Sequence, residues 1–282
     1  MSVGWQKPFR GTQLNKAHPL SKGLVGAWIM NESTGETVYD LSNHANNGAL
    51  VGDASWAAGA DGSCVRLDGD SDWIDCGGSN SLNDMTAWSV ISRCKHDDIG
   101  ASPSYARMWS KGVYTIRLEL RGPYSGGYCG VFGQRQYDGT DAKATSTDLI
   151  FPMGEWADLA FLYDENGSRY MNIFLNGDEI SYAFQSASTG TLRSDSSDNA
   201  RIGSAGASYN YDWTGDFGFV YVYNRKLSKI EIALLHREPY CMFTRALDIG
   251  AMLYAVPVVG GSIINQFQKA NLGADLFNGS LI

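Results

Sequence analysis

Positive charge is scarce in this sequence, and it forms no run. The chain has 22 Lys and Arg residues against 30 Asp and Glu residues, which gives a formal net charge of -8. A nucleic-acid interface needs clustered Lys and Arg side chains that neutralise phosphates. The charge balance therefore argues against nucleic acid as the main partner.

Long hydrophobic runs are also missing. The longest one, residues 251–259, contains Pro257, whereas a membrane-spanning helix needs about 20 predominantly apolar residues. The N-terminal stretch MSVGWQKPFRG has no apolar segment of the signal-peptide type. We therefore expect neither a membrane span nor Sec-dependent export.

Cysteine and histidine are few, and their spacing indicates no site. The five cysteines form no CxxC pair of the metal-binding type, and no Cys or Ser near the four histidines suggests a triad. If residues 64–76 fold as a hairpin about Asp70, Cys64 faces Cys76, with Cβ atoms about 4.5–5.5 Å apart. That separation is slightly wider than in a relaxed disulfide. A disulfide and two reduced thiols both stay open, and reduced thiols are favoured because cytosolic proteins usually keep them so.

Glycine and aromatic residues are abundant. The chain has 33 Gly, 15 Tyr and 8 Trp residues, and short apolar runs alternate with Gly, Asn, Asp and Ser clusters over residues 23–223. The clearest runs predict strands at 87–92, 113–120, 156–163, 170–175 and 217–223. Asn176 and Gly177 predict a two-residue hairpin turn, and Ser228 followed by Glu231 predicts a capping box for a helix ending at His236. This pattern indicates a two-sheet sandwich closed by one short helix.

Four segments, read together, resemble a known family. They are GLVGAWIMNESTGETVYDLSNHANNGAL at 23–50, CVRLDGDSDWIDCG at 64–77, GEWADLAFLYD at 154–164 and YVYNRKLSKIEIALL at 221–235. In this order and spacing they resemble the concanavalin-A-like, laminin-G-like jelly roll. The resemblance implies an all-β fold, a two-sheet jelly-roll sandwich with one short C-terminal helix and an extended C-terminal tail. It also points to binding rather than catalysis.

Two motifs at the ends of this region resemble those of marine tailed-phage proteins. Residues 11–28 match the leader G-T-x-L-N-x-x-H-P-L-x-x-G-L-V-G-x-W, and Pro239, Tyr240 and Phe243 match a Pro-aromatic-x-x-Phe exit. The resemblance implies a virion protein that is assembled in the host cytoplasm. We therefore divide the chain into an N-terminal arm at 1–22, a laminin-G-like sandwich at 23–243 and a C-terminal assembly tail at 244–282.

This chain lacks the acidic pair of the calcium site that the resemblance implies. Many members carry an acidic pair just before the last strand, where this chain has Gly218 and Phe219. One turn still offers oxygen atoms of the kind calcium prefers, from Asp40, Asn43, Asn46 and Asn47. Turns rich in Asn more often cap their own backbone. We assign no metal ligand and no cofactor from the sequence.

Laminarinase-type glucanases share this fold, so catalysis is an alternative. Retaining glycosidases need two carboxyl groups about 5 Å apart, and the glucanases take both from a Glu-x-Asp-x-x-Glu run. The nearest stretch here, Glu155 to Asp158, does not keep this spacing, and the second Glu position counted from Asp158 is Phe161. We expect Asp158 to be exposed on a strand, and we predict no catalytic residue.

One loop holds the candidate ligand-binding residues: Tyr209, Tyr211, Asp212 and Trp213. An extended backbone would place the three rings on one face, where they could stack on the C–H faces of a sugar while Asp212 binds hydroxyl groups. Alternatively, these rings cover the edge of the sandwich or pack on the tail. A second candidate loop contains Tyr124, Tyr128 and Tyr137. Trp28 and Trp73 lie within strand motifs and are predicted to be core residues.

The sequence as a whole predicts a non-enzymatic virion structural or decoration protein. It would display a lectin-like sandwich, be anchored by its termini and contact other virion proteins, copies of itself and host-surface glycans. Two alternatives stay open, namely a free carbohydrate-binding module and a glycoside hydrolase of the laminarinase type.

Overall fold

The structure of the protein is a computed structural model that describes residues 6–97, 105–206 and 211–244. The side chains of Pro123 and Tyr124 and residues 245–282 are outside this description. Almost all of the predicted assembly tail therefore lies outside the described residues, as does Tyr209. None of the helices in the described ranges is both long and apolar enough to cross a membrane.

The described residues form two antiparallel sheets. The eight-stranded sheet contains β1 (Leu24–Trp28), β4 (Ser55–Ala58), β5 (Ser63–Asp68), β7 (Ala87–His96), β13 (Ala157–Asp164), β14 (Asn172–Leu175), β15 (Asp178–Glu179) and β18 (Thr214–Tyr223). The ten-stranded sheet contains β2 (Thr37–Val38), β3 (Gly48–Val51), β6 (Trp73–Asp75), β8 (Tyr105–Lys111), β9 (Ile116–Ser125), β10 (Tyr128–Arg135), β11 (Ala142–Ser146), β12 (Phe151–Pro152), β16 (Tyr182–Ser186) and β17 (Ala200–Ile202). The predicted two-sheet sandwich is confirmed.

The order of strands within each sheet is not the order along the chain. The eight-stranded sheet runs β15-β14-β13-β7-β18-β5-β4, with β1 also paired to β18. The ten-stranded sheet runs β16-β11-β10-β9-β8-β17-β6-β3-β2, with β12 paired to β10. Two short 3-10 helices, Pro19–Ser21 and Asn80–Leu82, and one α-helix, α1 (Lys229–Arg237), complete the described elements.

The two sheets enclose the main hydrophobic core. Successive side chains of a strand point to opposite faces of the sheet. In β9, the alternate residues Ile116, Leu118 and Leu120 accordingly point into this core. Trp28 from β1 is fully buried there, 5.7 Å from the ring of Trp109 on β8. The prediction that Trp28 is a core residue is confirmed, whereas Trp73 is only partly buried.

A second apolar layer covers the outer face of the eight-stranded sheet. Ile232 and Leu235 of α1 pack with Tyr221 and Tyr223 of β18 in this layer. The predicted capping box is present, since the Ser228 side chain accepts from the backbone of residue 231 and that Glu side chain accepts in return. Strands β13 and β18 are consequently buried on both faces.

The described part of the N-terminal arm packs on the sandwich of its own chain. Leu14 forms a β-bridge with Phe243, and the backbone N–H of Asn15 donates to the carbonyl of Met242 at 2.8 Å. Leu20 is buried in the same layer as Phe243. The leader motif and the exit motif therefore form one structural unit beside α1.

The predicted hairpin over residues 64–76 is wrong. Strand β5 lies in the eight-stranded sheet and β6 in the ten-stranded sheet, so the turn between them crosses the sandwich. The alternation of Val65, Leu67 and Ile74 fits both arrangements, because all three side chains fill the core from either sheet. Cys64 and Cys76 are both buried and free.

Candidate functional site

The outer face of the ten-stranded sheet differs from that of the eight-stranded sheet, because no second layer is placed over it in the described parts of the chain. We call its central part, formed by the outward side chains of β8 to β11 and β16 and of the turns that join β8 to β9 and β10 to β11, the open face. Arg117, Glu119 and Arg121 of β9 belong to it, since they alternate with core residues. In the register of the sheet, Glu119 lies between Arg107 of β8 and Phe132 of β10.

A buried carboxylate lies at the centre of the open face. Glu119 is fully buried and accepts from Arg121 Nε at 2.7 Å, and it pairs through its other oxygen with Arg107. Arg107 is 1% exposed and also donates through Nη2 to the carbonyl of Val113 at 3.1 Å. Burial lowers the pKa of the Arg107 guanidinium to about 10, against the opposing charge of Glu119. The guanidinium therefore stays charged at neutral pH.

Aromatic rings flank these arginines. The Arg121 Cζ atom lies 3.2 Å from the centroid of the Phe132 ring and 5.2 Å from that of Tyr105. Arg117 Cζ lies 5.3 Å from the centroid of Phe132 and 5.5 Å from that of Tyr114. These separations are within the range of cation–π interactions. Each ring thereby helps to fix the position of a guanidinium on the sheet.

Tyr211, a candidate residue from the sequence, lies at the edge of this cluster. Its ring centroid is 4.9 Å from Arg107 Cζ and 5.4 Å from the ring of Tyr105, edge to face. Its carbonyl accepts from the backbone N–H of Arg107 at 3.0 Å. Desolvation and the neighbouring Tyr114 raise the pKa of Tyr211. The structure thus brings Tyr211 together with charged residues that the sequence did not connect to it.

The other candidates from that loop are placed elsewhere. Asp212 is partly buried and accepts from the backbone N–H of Ser71 at 3.3 Å. Trp213 is fully buried, and its indole N–H donates to the carbonyl of Lys95 at 3.1 Å. The expected shared face is therefore wrong for Trp213, because its ring fills the core beside Phe217, at 5.0 Å between ring centroids. Ligand binding by Tyr211 and Asp212 stays a prediction.

The residues of the second candidate loop are also placed in different surroundings. Tyr128 precedes the core residue Cys129 in β10, so it points outward on the side of the open face, where it is 46% exposed. Tyr137 is buried and accepts a hydrogen bond at 2.7 Å from the hydroxyl of Tyr163. The side chain of Tyr124 lies outside the described residues.

The charged residues of the open face were missed at the level of sequence. A signal for them exists, because residues 116–121 read IRLELR, a strict alternation of apolar and charged side chains. Alternation shows that Arg117, Glu119 and Arg121 share one face of a strand. It does not show that Arg107 and Phe132 lie beside them, which depends on strand pairing.

Two groups of oxygen atoms resemble cation ligands in composition. The carboxylate of Asp40 accepts four hydrogen bonds, from the backbone of residues 27, 42 and 46 and from the Ser42 hydroxyl. This carboxylate therefore caps its own turn. Oxygen atoms of Asp53, Asp68 and Asp72 lie within 4.8 Å of one another. Asp72 accepts from the backbone N–H groups of the other two, at 3.0 and 2.9 Å, so it too holds a turn.

Asp158, expected to be exposed, is instead buried. It accepts from Arg93 Nε at 2.7 Å, and the Nδ1 atom of His236 on α1 lies 2.6 Å from its other oxygen. The expectation failed because the layer containing α1 covers this sheet face. The acidic run that most resembles a glucanase motif therefore contributes to the packing of α1 and not to the open face.

A cleft of about 340 Å³ lies elsewhere on the sandwich. Its lining is mainly polar and includes His44, Asn80, Ser81, Asn83 and Asp84. The lining contains no Trp, Tyr or Phe. The cleft could supply hydrogen bonds to a small polar ligand, but it lacks the ring surface on which sugars commonly stack.

The comparison with protein families agrees with this architecture. The model of the concanavalin A-like lectin/glucanases superfamily matches residues 68–233. The chain belongs to this superfamily. A comparison with curated protein sequences found no match.

Several solved structures share the fold of this superfamily member. The binding domain of Paraclostridial Mosquitocidal Protein 1 has a TM-score of 0.61 and 14% identity, with 79% of this chain and 53% of that chain covered. Domain 4 of AbnA, a GH43 extracellular arabinanase from Geobacillus stearothermophilus, has a TM-score of 0.54 and 16% identity, covering 76% of this chain and 98% of that chain. Trypanosoma rangeli sialidase has a TM-score of 0.54 and 12% identity, covering 78% of this chain and 33% of that chain. The fold is thus shared by binding domains and by parts of enzymes.

Proposed function

We propose that this protein is a non-catalytic glycan-binding protein that binds its ligand on the open face. The observation that carries the proposal is that one sheet of the sandwich is covered by a second apolar layer, while the other presents exposed rings and two partly exposed arginines around a buried ion pair. The rings are Tyr114, Tyr128 and Phe184, and the arginines are Arg117 and Arg121. The outer face of a covered sheet is in contact with the protein itself, so no ligand can reach it. A sheet face with exposed rings and hydrogen-bonding groups can bind a ligand.

The side chains of the open face suit a sugar. Phe184 of β16 is 55% exposed and lies in the same cross-strand row as Phe132, and Tyr114 is 49% exposed. Such rings can stack on the C–H faces of a pyranose, and Arg and Gln side chains can bind its hydroxyl groups. The AbnA domain with this fold was solved in complex with arabinotriose, which supports a carbohydrate ligand by analogy of fold only.

The acidic residues of the open face support a non-catalytic role. Glu119 is held by two arginines, Arg107 and Arg121, so that a guanidinium contacts each of its two carboxylate oxygens. Asp141 accepts from Gln134 at 2.9 Å and pairs with Lys143 at 3.2 Å. A glycosidase needs one carboxyl group that can deliver a proton, and both of these carboxylates are instead paired with cations or amides.

We further propose that the protein is a structural or decoration component of a virion, assembled in the host cytoplasm. The support is the resemblance of the leader and the exit to those of tailed-phage proteins, together with the packing of Leu14 on Phe243. Because the described arm packs on its own sandwich, we assign the anchoring role to residues 245–282. Other virion proteins and copies of this chain would be the partners.

A truncation separates the virion proposal from a free carbohydrate-binding module. We expect deletion of residues 245–282 to leave the unfolding midpoint of the sandwich unchanged and to abolish incorporation into particles. A protein that binds glycans but never enters a particle, with or without these residues, would be a free module instead.

Glycan binding itself is tested with an oligosaccharide array and single substitutions. We expect Tyr211→Ala and Phe184→Ala each to weaken binding about fivefold to tenfold, the range for one aromatic contact. Ile230→Ala is the matched control, since Ile230 is 81% exposed on α1, over the other sheet. Equal binding by all three variants would place the ligand elsewhere, and binding of no glycan at all would contradict the proposal.

A further inference from the structure

The open face carries the opposite charge to the protein as a whole. The chain has a formal net charge of -8, yet cationic side chains outnumber acidic ones on β8 to β11 of this face. The cations are Arg107, Arg117, Arg121 and Lys143, and the acidic groups are Glu119 and Asp141. A local excess of positive charge on an acidic protein attracts anionic groups.

The cations of the open face are not all used within the protein. Arg107 is buried against Glu119 and the carbonyl of Val113. Arg121 is 27% exposed and uses Nε for Glu119, and no bond of its two Nη groups is found among the described residues. Arg117 bonds Gln134 through Nη2, and no bond of its Nη1 group is found among the described residues, while its Nε is buried without a hydrogen-bond partner there. Because a guanidinium has five N–H donors, these last two arginines retain capacity for a ligand.

The two arginines are also held in place. Arg121 and Arg117 both contact the ring of Phe132, at 3.2 and 5.3 Å from Cζ to the ring centroid. A guanidinium that is already fixed by stacking loses little conformational freedom when it binds a carboxylate or sulfate. Glu119 is a positioning residue here. It orients Arg121 by accepting from Nε, and it does not contact the two Nη groups of that side chain.

We propose that the open face selects acidic glycans, with Arg117 and Arg121 binding a carboxylate or sulfate group while a neighbouring ring stacks on the sugar. This inference rests on the proposed glycan-binding function and names its ligand class. Arginine is well suited to this role because its planar donor pairs match the two oxygen atoms of such groups.

The experiment is a calorimetric titration of the full chain with an oligogalacturonate and with its methyl ester. The two ligands share one backbone and differ in charge. We expect the acid form to bind at least tenfold more tightly, as lost charged hydrogen bonds imply. A heparin-derived oligosaccharide and its desulfated form, used in the same way, show whether a sulfate replaces the carboxylate.

Substitutions then locate the effect. We expect Arg117→Gln and Arg121→Gln each to weaken binding of the acid form about tenfold and to leave the ester unaffected. Arg121→Lys keeps the charge but loses the planar donor pair, so it is expected to bind with intermediate affinity. The matched control is Arg237→Gln, because Arg237 is 74% exposed on α1 and its loss changes the net charge equally. Urea unfolding of each variant confirms that the sandwich is intact.

The outcomes separate this inference from the function on which it rests. Equal affinity for acid and ester, with a loss in Tyr211→Ala, would overturn the acidic selectivity and leave glycan binding in place. An equal loss in Arg237→Gln would also overturn it, since only net charge would then matter. Absence of binding to both acidic ligands overturns the inference, and absence of binding to every glycan on the array overturns the proposed function as well.

Discussion

The ion pair beneath the open face provides a sharp test of how the site is built. Glu119 is fully buried between Arg107 and Arg121, and Arg107 is itself 1% exposed. The substitution Glu119→Gln keeps the size of the side chain and removes its charge. Arg107 then stays buried as a cation whose remaining hydrogen bond is to the carbonyl of Val113.

The magnitude of this effect follows from burial. Breaking a buried ion pair by removing one partner costs about 3–5 kcal/mol, because an uncompensated charge is left behind. Even with Glu119 present, burial lowers the pKa of Arg107 from 12.5 to about 10. The buried charge of Arg107 is therefore destabilising unless Glu119 compensates for it. Since Gln can still accept one hydrogen bond, we expect Glu119→Gln to lower the free energy of unfolding by about 3 kcal/mol.

Urea unfolding followed by tryptophan fluorescence measures this loss, and a second variant controls for it. In the double variant Arg107→Met, Glu119→Gln the buried charge is gone, so we expect most of the lost stability to return. A loss below about 1 kcal/mol in Glu119→Gln would show that the pair is not buried as described. Strictly additive losses in the double variant would show that the two side chains do not interact.

Three further predictions concern the scaffold. Glu231→Ala removes the capping box and the ion pair with Arg225 at 2.7 Å, so we expect urea unfolding to show a loss of about 1–2 kcal/mol. The hydrogen bond from Arg225 is the main cause that lowers the pKa of Glu231 in the folded protein from 4.5 to about 2. The contribution of Glu231 to the free energy of unfolding is therefore complete above pH 4.5 and is lost as the pH falls through about 2. A difference in unfolding free energy between wild type and variant that stays constant over this pH range would contradict the assignment. In the folded protein we expect at most Cys241 to react with a thiol reagent, because the other four cysteines are buried; prompt reaction of a second thiol would refute the packing. Gly133→Ala would place a Cβ 2.9 Å from the Phe161 ring and against Met171, so we expect a loss of about 1–3 kcal/mol, and an unchanged unfolding midpoint would show that the sheets are less tightly packed there.

Features set by neighbouring residues could be predicted from the sequence. The Asn176-Gly177 turn joins β14 and β15, and both residues have positive φ angles of 51° and 90°. The capping box at Ser228 begins α1 as expected. Strand ends were predicted less accurately, since β9 begins at Ile116 and not at residue 113, which lies in the turn after β8.

Features that depend on pairing between distant strands could not be predicted. The apolar alternation around Cys64 and Cys76 is the same for a hairpin and for a crossing between sheets, so the wrong one was favoured. Alternation alone puts Trp213 on the same face as Tyr211, for an exposed loop or for a covered edge, whereas the structure turns its ring into the core. The open face was missed because it joins Arg107, Glu119 and Phe132 from three strands, and only pairing brings them together.

The location of the ligand is the most direct test of the whole account. Backbone amide chemical shifts of the isotope-labelled protein can be recorded while a glycan selected on the array is added. We predict that the largest changes lie on β8, β9 and β10, around Arg107, Glu119 and Phe132, and that α1 is unaffected. Changes confined to α1 and its covering layer, or to the cleft around Asn80 and Asp84, would contradict the assignment of the open face as the binding site.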